Sequence, residues 1–151
     1  SKVFALTPEA KILSNNFTSN KGKLPWPVEK GYVTLKYGKQ PHPVVKTATI
    51  QSNGIRIITA SSQNVRSIFD GVIYRIISSK NGSKTILVQH GNFFTVYKNL
   101  ASIYVEKGDR VSTKQDLGKI ITNKISGQTI LSFSLFKDNK TENPLLWLGQ
   151  K

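Results

Sequence analysis

The stretch from Ile86 to Lys119, ILVQHGNFFTVYKNLASIYVEKGDRVSTKQDLGK, restricts the fold more than any other part of the chain. Ile86, Val88 and His90 alternate with Leu87 and Gln89. After a tight turn at Gly91-Asn92, Phe94, Val96 and Lys98 alternate with Phe93, Thr95 and Tyr97. Successive side chains of a strand leave opposite faces, so a period of two is the mark of a pleated backbone. The spacing predicts two strands, a turn rich in Gly, Asp and Lys, and a third strand, at the centre of a sheet with one polar, partly open face.

The remaining segments follow the same pattern. Strand-like runs cover Tyr32 to Tyr37, Val44 to Ile50, Ile55 to Ala60, Val65 to Phe69, Gly118 to Thr122 and Thr129 to Phe136. Val72 to Ile77 and Ser83 to Gln89 form a hairpin around Asn81-Gly82, a dipeptide that accepts the positive φ angles of a tight turn. Gly38 to Pro43 reads as a loop, and Asn143-Pro144 opens a short closing segment with Leu146, Trp147 and Leu148. One helix is expected near the N-terminus. Thr7 can cap it, Pro8 fits the first helical position, Glu9 suits the positive end of the dipole, and Ala10, Leu13 and Phe17 make an apolar stripe. It should stop near Asn20 to Gly22. The expected class is all-β, a mainly antiparallel sheet or barrel-sandwich-like domain with one short N-terminal helix. The division is residues 1–21 as a helical segment and residues 22–151 as the β domain.

Composition narrows the partners. The chain has 151 residues, enough for one domain that buries about 70% of its unfolded surface without cross-links. It has no cysteine, which excludes disulfides and thiolate metal sites. Nothing approaches the roughly 20 apolar residues of a membrane helix, and Ser1 begins no signal peptide. The chain starts without an initiating Met and reads as a fragment or mature form. Lys plus Arg number 22 against eight Asp plus Glu, a net charge of +14 that favours anionic partners such as acidic envelope polymers. Nucleic acid is disfavoured. The basic residues form no run of five or more, and arginine occurs only at Arg56, Arg66, Arg75 and Arg110, whereas bidentate phosphate and guanine recognition leans on arginine.

The inventory for catalysis is small. A zinc site would have to use His42, His90 and a carboxylate. Asp70, Asp109 and Asp138 stand beside Gly or Asn in turns, where aspartate is favoured for local hydrogen bonding. No nucleophile elbow, phosphate-binding Gly loop or calcium loop occurs. His90, ending an apolar strand, reads as a hydrogen-bonded structural histidine.

The succession GIRIITA, VRSIFDGVIYRI, TILVQHGNFFTVYKNL, VEKGDRVSTKQDLGKI, ILSFSLF and NPLLWL resembles the LytM or lysostaphin-type zinc metallopeptidase domain of cell-wall hydrolases. The resemblance covers roughly Gly22 to Leu148. Members of that family carry H-x-G-I-D-I, then H-G-x-x-x-T-x-Y-x-H-L, then V-x-x-G-x-x-V-x-x-G-Q-x-I-G, then H-x-H-F and a final Asn-Pro. Placing Gly54-Ile55 on the first motif puts Ser52 at a ligand histidine and Arg56 at the ligand aspartate. Placing Phe133 on H-x-H-F puts Ile130 at a catalytic histidine and Ser132 at a ligand histidine. Asn99 falls at the catalytic histidine of Y-x-H-L, and His90 matches a framework histidine. A guanidinium offers no lone pair to a cation and its charge repels one.

The resemblance therefore implies a degenerate branch without metal or other cofactor, similar to EnvC-like activators of peptidoglycan amidases. It implies a noncatalytic domain in the periplasm or cell envelope that binds and activates an N-acetylmuramoyl-L-alanine amidase during cell separation, with the N-terminal helix as the end of an upstream coiled coil. A groove formed by Ser52, Arg56, His90, Tyr97, Asn99 and Ser132 would receive a partner segment bearing carboxylates. The alternatives are a passive domain that binds peptidoglycan or another anionic polymer, and an active zinc endopeptidase of peptidoglycan crosslinks.

Overall fold

The computed structural model describes residues 6–150. Helix α1 spans Pro8–Ser19. Thr7 caps it with a hydroxyl that accepts from the Ala10 amide, Glu9 lies in the first turn, and Asn20 ends it. Twelve strands follow: β1 (Tyr32–Leu35), β2 (Gly38–Pro41), β3 (Thr49–Ser52), β4 (Ile55–Thr59), β5 (Asn64–Arg66), β6 (Gly71–Ser78), β7 (Lys84–His90), β8 (Phe93–Ile103), β9 (Arg110–Val111), β10 (Asp116–Ile120), β11 (Thr129–Lys137) and β12 (Lys140–Glu142). Among the described residues a single 3₁₀ turn, Pro144–Leu146, follows β12 and is capped by the Asn143 side chain.

The strands form a mostly antiparallel all-β domain. The main sheet has the order β1-β4-β11-β8-β7-β6-β9, with β12 on β11 and with β10 joining β8 to β5. The hairpin β2-β3 is a separate two-stranded sheet. Two expectations in this hairpin fail. The stretch Gly38 to Pro43, expected as a loop, contributes strand β2, and the strand expected from Val44 begins only at Thr49. The cause is local: His42 Nδ1 accepts from the amides of Val44 (3.1 Å) and Val45 (3.0 Å), which fixes a turn against the β preference of the Val-Val pair.

The alternation seen in the sequence separates two faces of the sheet. Ile55 and Ile57 of β4, Leu131, Phe133 and Leu135 of β11, Tyr97 of β8 and Ile86 and Val88 of β7 are buried on the inner face. Their neighbours Arg56, Ser132, Ser134, Lys98, Thr85 and Leu87 are partly or fully exposed. Helix α1 and the C-terminal segment cover one end of the inner face. Phe17 is wholly buried, stacked on Phe93 with ring centroids 4.5 Å apart and within 5.2 Å of Trp147. Gly91 allows this contact, because a Cβ there would lie 2.5 Å from the Ala10 carbonyl oxygen. The C-terminal segment is tied down by the Gly22 and Leu24 amides, both donating to the Trp147 carbonyl.

Candidate functional site

The five residues that the family resemblance places at metal or catalytic positions divide into three groups. Arg56, Ser132 and their neighbour Lys98 form one cross-strand row. Ser132 of β11 pairs with Arg56 of β4 on one side and with Lys98 of β8 on the other. Residues directly opposite one another in a ladder share a face, so two cations flank one hydroxyl on the outer face. The row continues to Leu35 of β1 and Thr85 of β7.

Asn99 reaches the same place by a different route. Strict alternation would send it inward with Tyr97. Instead it adopts φ 77°, a left-handed conformation that asparagine tolerates better than most residues. The β7-β8 register passes from Thr85↔Lys98 to Lys84↔Leu100 and skips Asn99, the signature of a bulge. Its amide donates to the Ile130 carbonyl at 2.7 Å. Together Arg56, Ser83, Thr85, Lys98, Asn99, Ile130 and Ser132 line an open depression of ≈ 370 Å³.

Ser52 is not among the residues lining this depression. It ends β3, and its hydroxyl donates to the Gly54 carbonyl at 2.7 Å, closing its own turn. His90 and Tyr97, expected to line the groove, do not do so. Both are 0% exposed on the inner face, opposite the depression. The reason is parity: His90 follows Ile86 and Val88, Tyr97 follows Phe93 and Thr95, and every one of these points into the core. Lys98, Thr85 and Ser83 were missed by the motif comparison. Lys98 was recoverable, since the alternation of β8 already places it opposite to Tyr97.

The inner pair forms a buried polar chain. His90 Nδ1 lies 2.7 Å from the Asp70 carbonyl, which can only accept, so this nitrogen carries the ring proton. Thr95 Oγ1 lies 2.8 Å from both His90 Nε2 and the Tyr97 hydroxyl, and the Ile68 amide donates to that hydroxyl at 3.1 Å. Burial pushes the Tyr97 hydroxyl up to about 12 and the His90 ring down from 6.5 to about 4, the latter against the opposing pull of the Asp70 carbonyl and charge. The unfolded chain therefore binds a proton that the folded chain refuses. The contribution is fully present above 6.5, falls as pH drops toward about 4, and amounts to roughly 3 kcal/mol. Urea midpoints should decline across that window, while the His90 ring signal in NMR keeps its neutral position until the pH nears about 4; titration of that signal near 6.5 would contradict the buried neutral ring.

The depression does not fit a zinc ion. Its lining residues include no imidazole and no carboxylate and include two cations. Among the described residues no group of three or more His, Cys, Asp or Glu could hold a metal. The Nδ1 of His42 is occupied by two amides of its own turn.

Residues 51–144, more than half of the chain, match the profile of Peptidase family M23. The chain belongs to peptidase family M23. No curated protein sequence matches significantly. This M23 fold superposes on Helicobacter pylori Csd3 with a TM-score of 0.70 and 20% identity, covering 85% of this chain and 35% of Csd3. A zinc containing peptidase from Vibrio cholerae superposes with a TM-score of 0.68 and 23% identity, covering 83% of this chain and 40% of the peptidase. A chain of the SpoIIQ-SpoIIIAH pore forming complex superposes with a TM-score of 0.69 and 22% identity, covering 85% of this chain and 92% of that one. The M23 chain thus spans well under half the length of the first two proteins, and at these identities the likeness concerns the fold.

Proposed function

We propose that this M23 domain is noncatalytic and binds a peptidoglycan amidase through the outer-face depression, activating it for cell-wall remodelling or cell separation. The observation that carries the reading is the row Arg56–Ser132–Lys98, in which the resemblance puts Arg56 and Ser132 where the family motifs carry an aspartate and a histidine of the metal site. Two cations beside hydroxyl and amide donors attract carboxylates of a protein segment and repel a metal. The structure of SpoIIQ in complex with SpoIIIAH supports the idea that a domain of this fold serves as a binding partner. In this reading the protein works in the periplasm or cell envelope, and α1 continues an upstream coiled coil.

A second reading, a passive binder of peptidoglycan or another anionic envelope polymer, is favoured by the net charge of +14. One assay separates the two. The purified domain is added to candidate amidases from the same cell, and release of dye from labelled peptidoglycan is measured, with the domain alone as control. The expected result is stimulation of one amidase, no release by the domain alone, and no stoichiometric zinc in the purified protein. Release by the domain alone would overturn the noncatalytic reading. Salt-sensitive sedimentation with purified sacculi and no stimulation of any amidase would favour the passive binder.

A further inference from the structure

The outer edge of β6 carries a second interaction surface, separate from the depression. Strand β9 covers this edge only at Gly71 and Val72. Ile73 is still held, its amide donating to the Asp109 carbonyl and its carbonyl accepting from the Gly108 amide, both at 2.8 Å. From Tyr74 to Ser78 no strand of the described residues pairs with the outer edge, because β6 has β7 on one side and only β9 on the other.

The direction of each backbone group is fixed from both ends of the ladder. Hydrogen-bonded and non-hydrogen-bonded pairs alternate along an antiparallel ladder. Ile73 turns its amide and carbonyl outward, so its pair with Val88 is non-hydrogen-bonded. Counting along β7 makes Arg75↔Leu87 hydrogen-bonded, Ile76↔Ile86 non-hydrogen-bonded, Ile77↔Thr85 hydrogen-bonded and Ser78↔Lys84 non-hydrogen-bonded. The next pair must then be hydrogen-bonded, and the Ser79 amide does donate to the Ser83 carbonyl at 2.9 Å. The amides and carbonyls of Ile76 and Ser78 therefore face outward, spaced to receive another strand.

The surroundings select what kind of strand fits. Tyr74 and Ile77, each 44% exposed, flank the edge with apolar surface. At its upper end lies a depression of ≈ 440 Å³ lined by Val72, Ile73, Tyr74, Arg75, Gln89, Lys107 and Gly108, with two cations and no carboxylate. The nearby Asp109 carboxylate is turned into its own turn, accepting from the Glu106 amide at 2.8 Å. A free apolar edge invites pairing with a second copy of the same chain unless charge forbids it. Here Arg75 stands on the free edge and the whole chain carries +14, so self-pairing sets like charges together. An acidic strand meets the opposite situation.

We propose that the free edge of β6, from Arg75 to Ser78, accepts an extended acidic segment of a partner protein as an added strand. Main-chain hydrogen bonds to Ile76 and Ser78 supply the attachment, and Arg75 and Lys107 select acidic over basic sequences. The surface is independent of Arg56, so it stands or falls apart from the amidase reading.

The test uses a fluorescein-labelled peptide of alternating Val and Glu, its Val-Lys counterpart, and amide hydrogen exchange read by NMR. The acidic peptide should bind, slow exchange at Ile76 and Ser78, and leave Arg75 and Ile77, already paired with β7, unchanged. The basic peptide should not bind. Ser78→Pro removes an outward donor without touching the β6-β7 ladder and should weaken binding at least about tenfold, whereas Ser78→Ala, which keeps the amide, and Arg56→Glu should leave it unchanged. Unaltered exchange at saturating acidic peptide, equal binding by Ser78→Pro and Ser78→Ala, or no binding at all would overturn the proposal. Protection that grows with protein concentration in the absence of peptide would show a second copy on the edge and overturn the acidic partner.

Discussion

Arg56→Glu should reduce amidase stimulation by about 10- to 100-fold while leaving the fold intact. The magnitude follows from the chemistry of the row. A hydrogen bond from a charged donor to a carboxylate contributes about 1.5–3 kcal/mol, and each 1.4 kcal/mol is a factor of ten in affinity. Reversal of the charge adds repulsion to that loss. The fold should survive because Arg56 is exposed and opposite Ser132, with Lys98 one strand further along the row, so the new carboxylate meets a cation in place of a like charge. Arg56→Lys keeps the charge and loses the planar fork, and should fall between the wild type and the reversal. The dye-release assay reads all three, with the urea midpoint as the control for folding. Unchanged stimulation by Arg56→Glu would remove the depression from the function.

Phe17→Ala should destabilise the domain by about 3–5 kcal/mol, a large share of the roughly 5–15 kcal/mol available to a domain of this size. Phe17 is the only side chain of α1 that enters the main core, and it meets Phe93, Trp147, Phe69 and the His90 ring within 5.5 Å. Its removal leaves a cavity among rigid aromatic rings, which cannot close over it without moving the sheet. The helix retains Thr7 as its cap and the link from Ser14 to Asn92, but a helix of 12 residues is marginal without tertiary packing. The urea midpoint should drop sharply, and proteolysis should cut within α1 before the sheet. A change below about 1 kcal/mol would mean that α1 adds little to the domain.

The boundaries of α1 were legible because a capping threonine, a proline at the first helical position and a terminal Asn-Gly stretch act within one turn of the chain. The inner strands were legible because burial on one face writes a period of two into the sequence. The hairpin of β2 and β3 was not. Its strands alternate only between exposed and half-buried residues and bury none fully, so no apolar alternation marks them, and the ring of His42 decides where the turn falls.

The depression was half legible. Motif spacing brought Arg56, Asn99, Ile130 and Ser132 together on paper, and all four line it. The motif match places His90 and Tyr97 in it as well, yet parity turns both into the core. Lys98 was passed over because it is no motif position. Asn99 shows how far local sequence can mislead, since its exposure depends on a single left-handed residue that shifts the register of β8.

By itself the sequence determined the alternating strands, the capped helix and the excess of positive charge. All of these depend on residue type and on spacing along one strand or one helical turn. Only the tertiary structure decided that Arg56, Ser132 and Lys98 stand in one row, that His90 is a neutral core group, and that β9 covers β6 only at its start, leaving the outer side of Ile76 and Ser78 without a paired strand among the described residues. Those facts depend on which strands become neighbours and in what register, and register is set by packing across the sheet, which no single segment encodes.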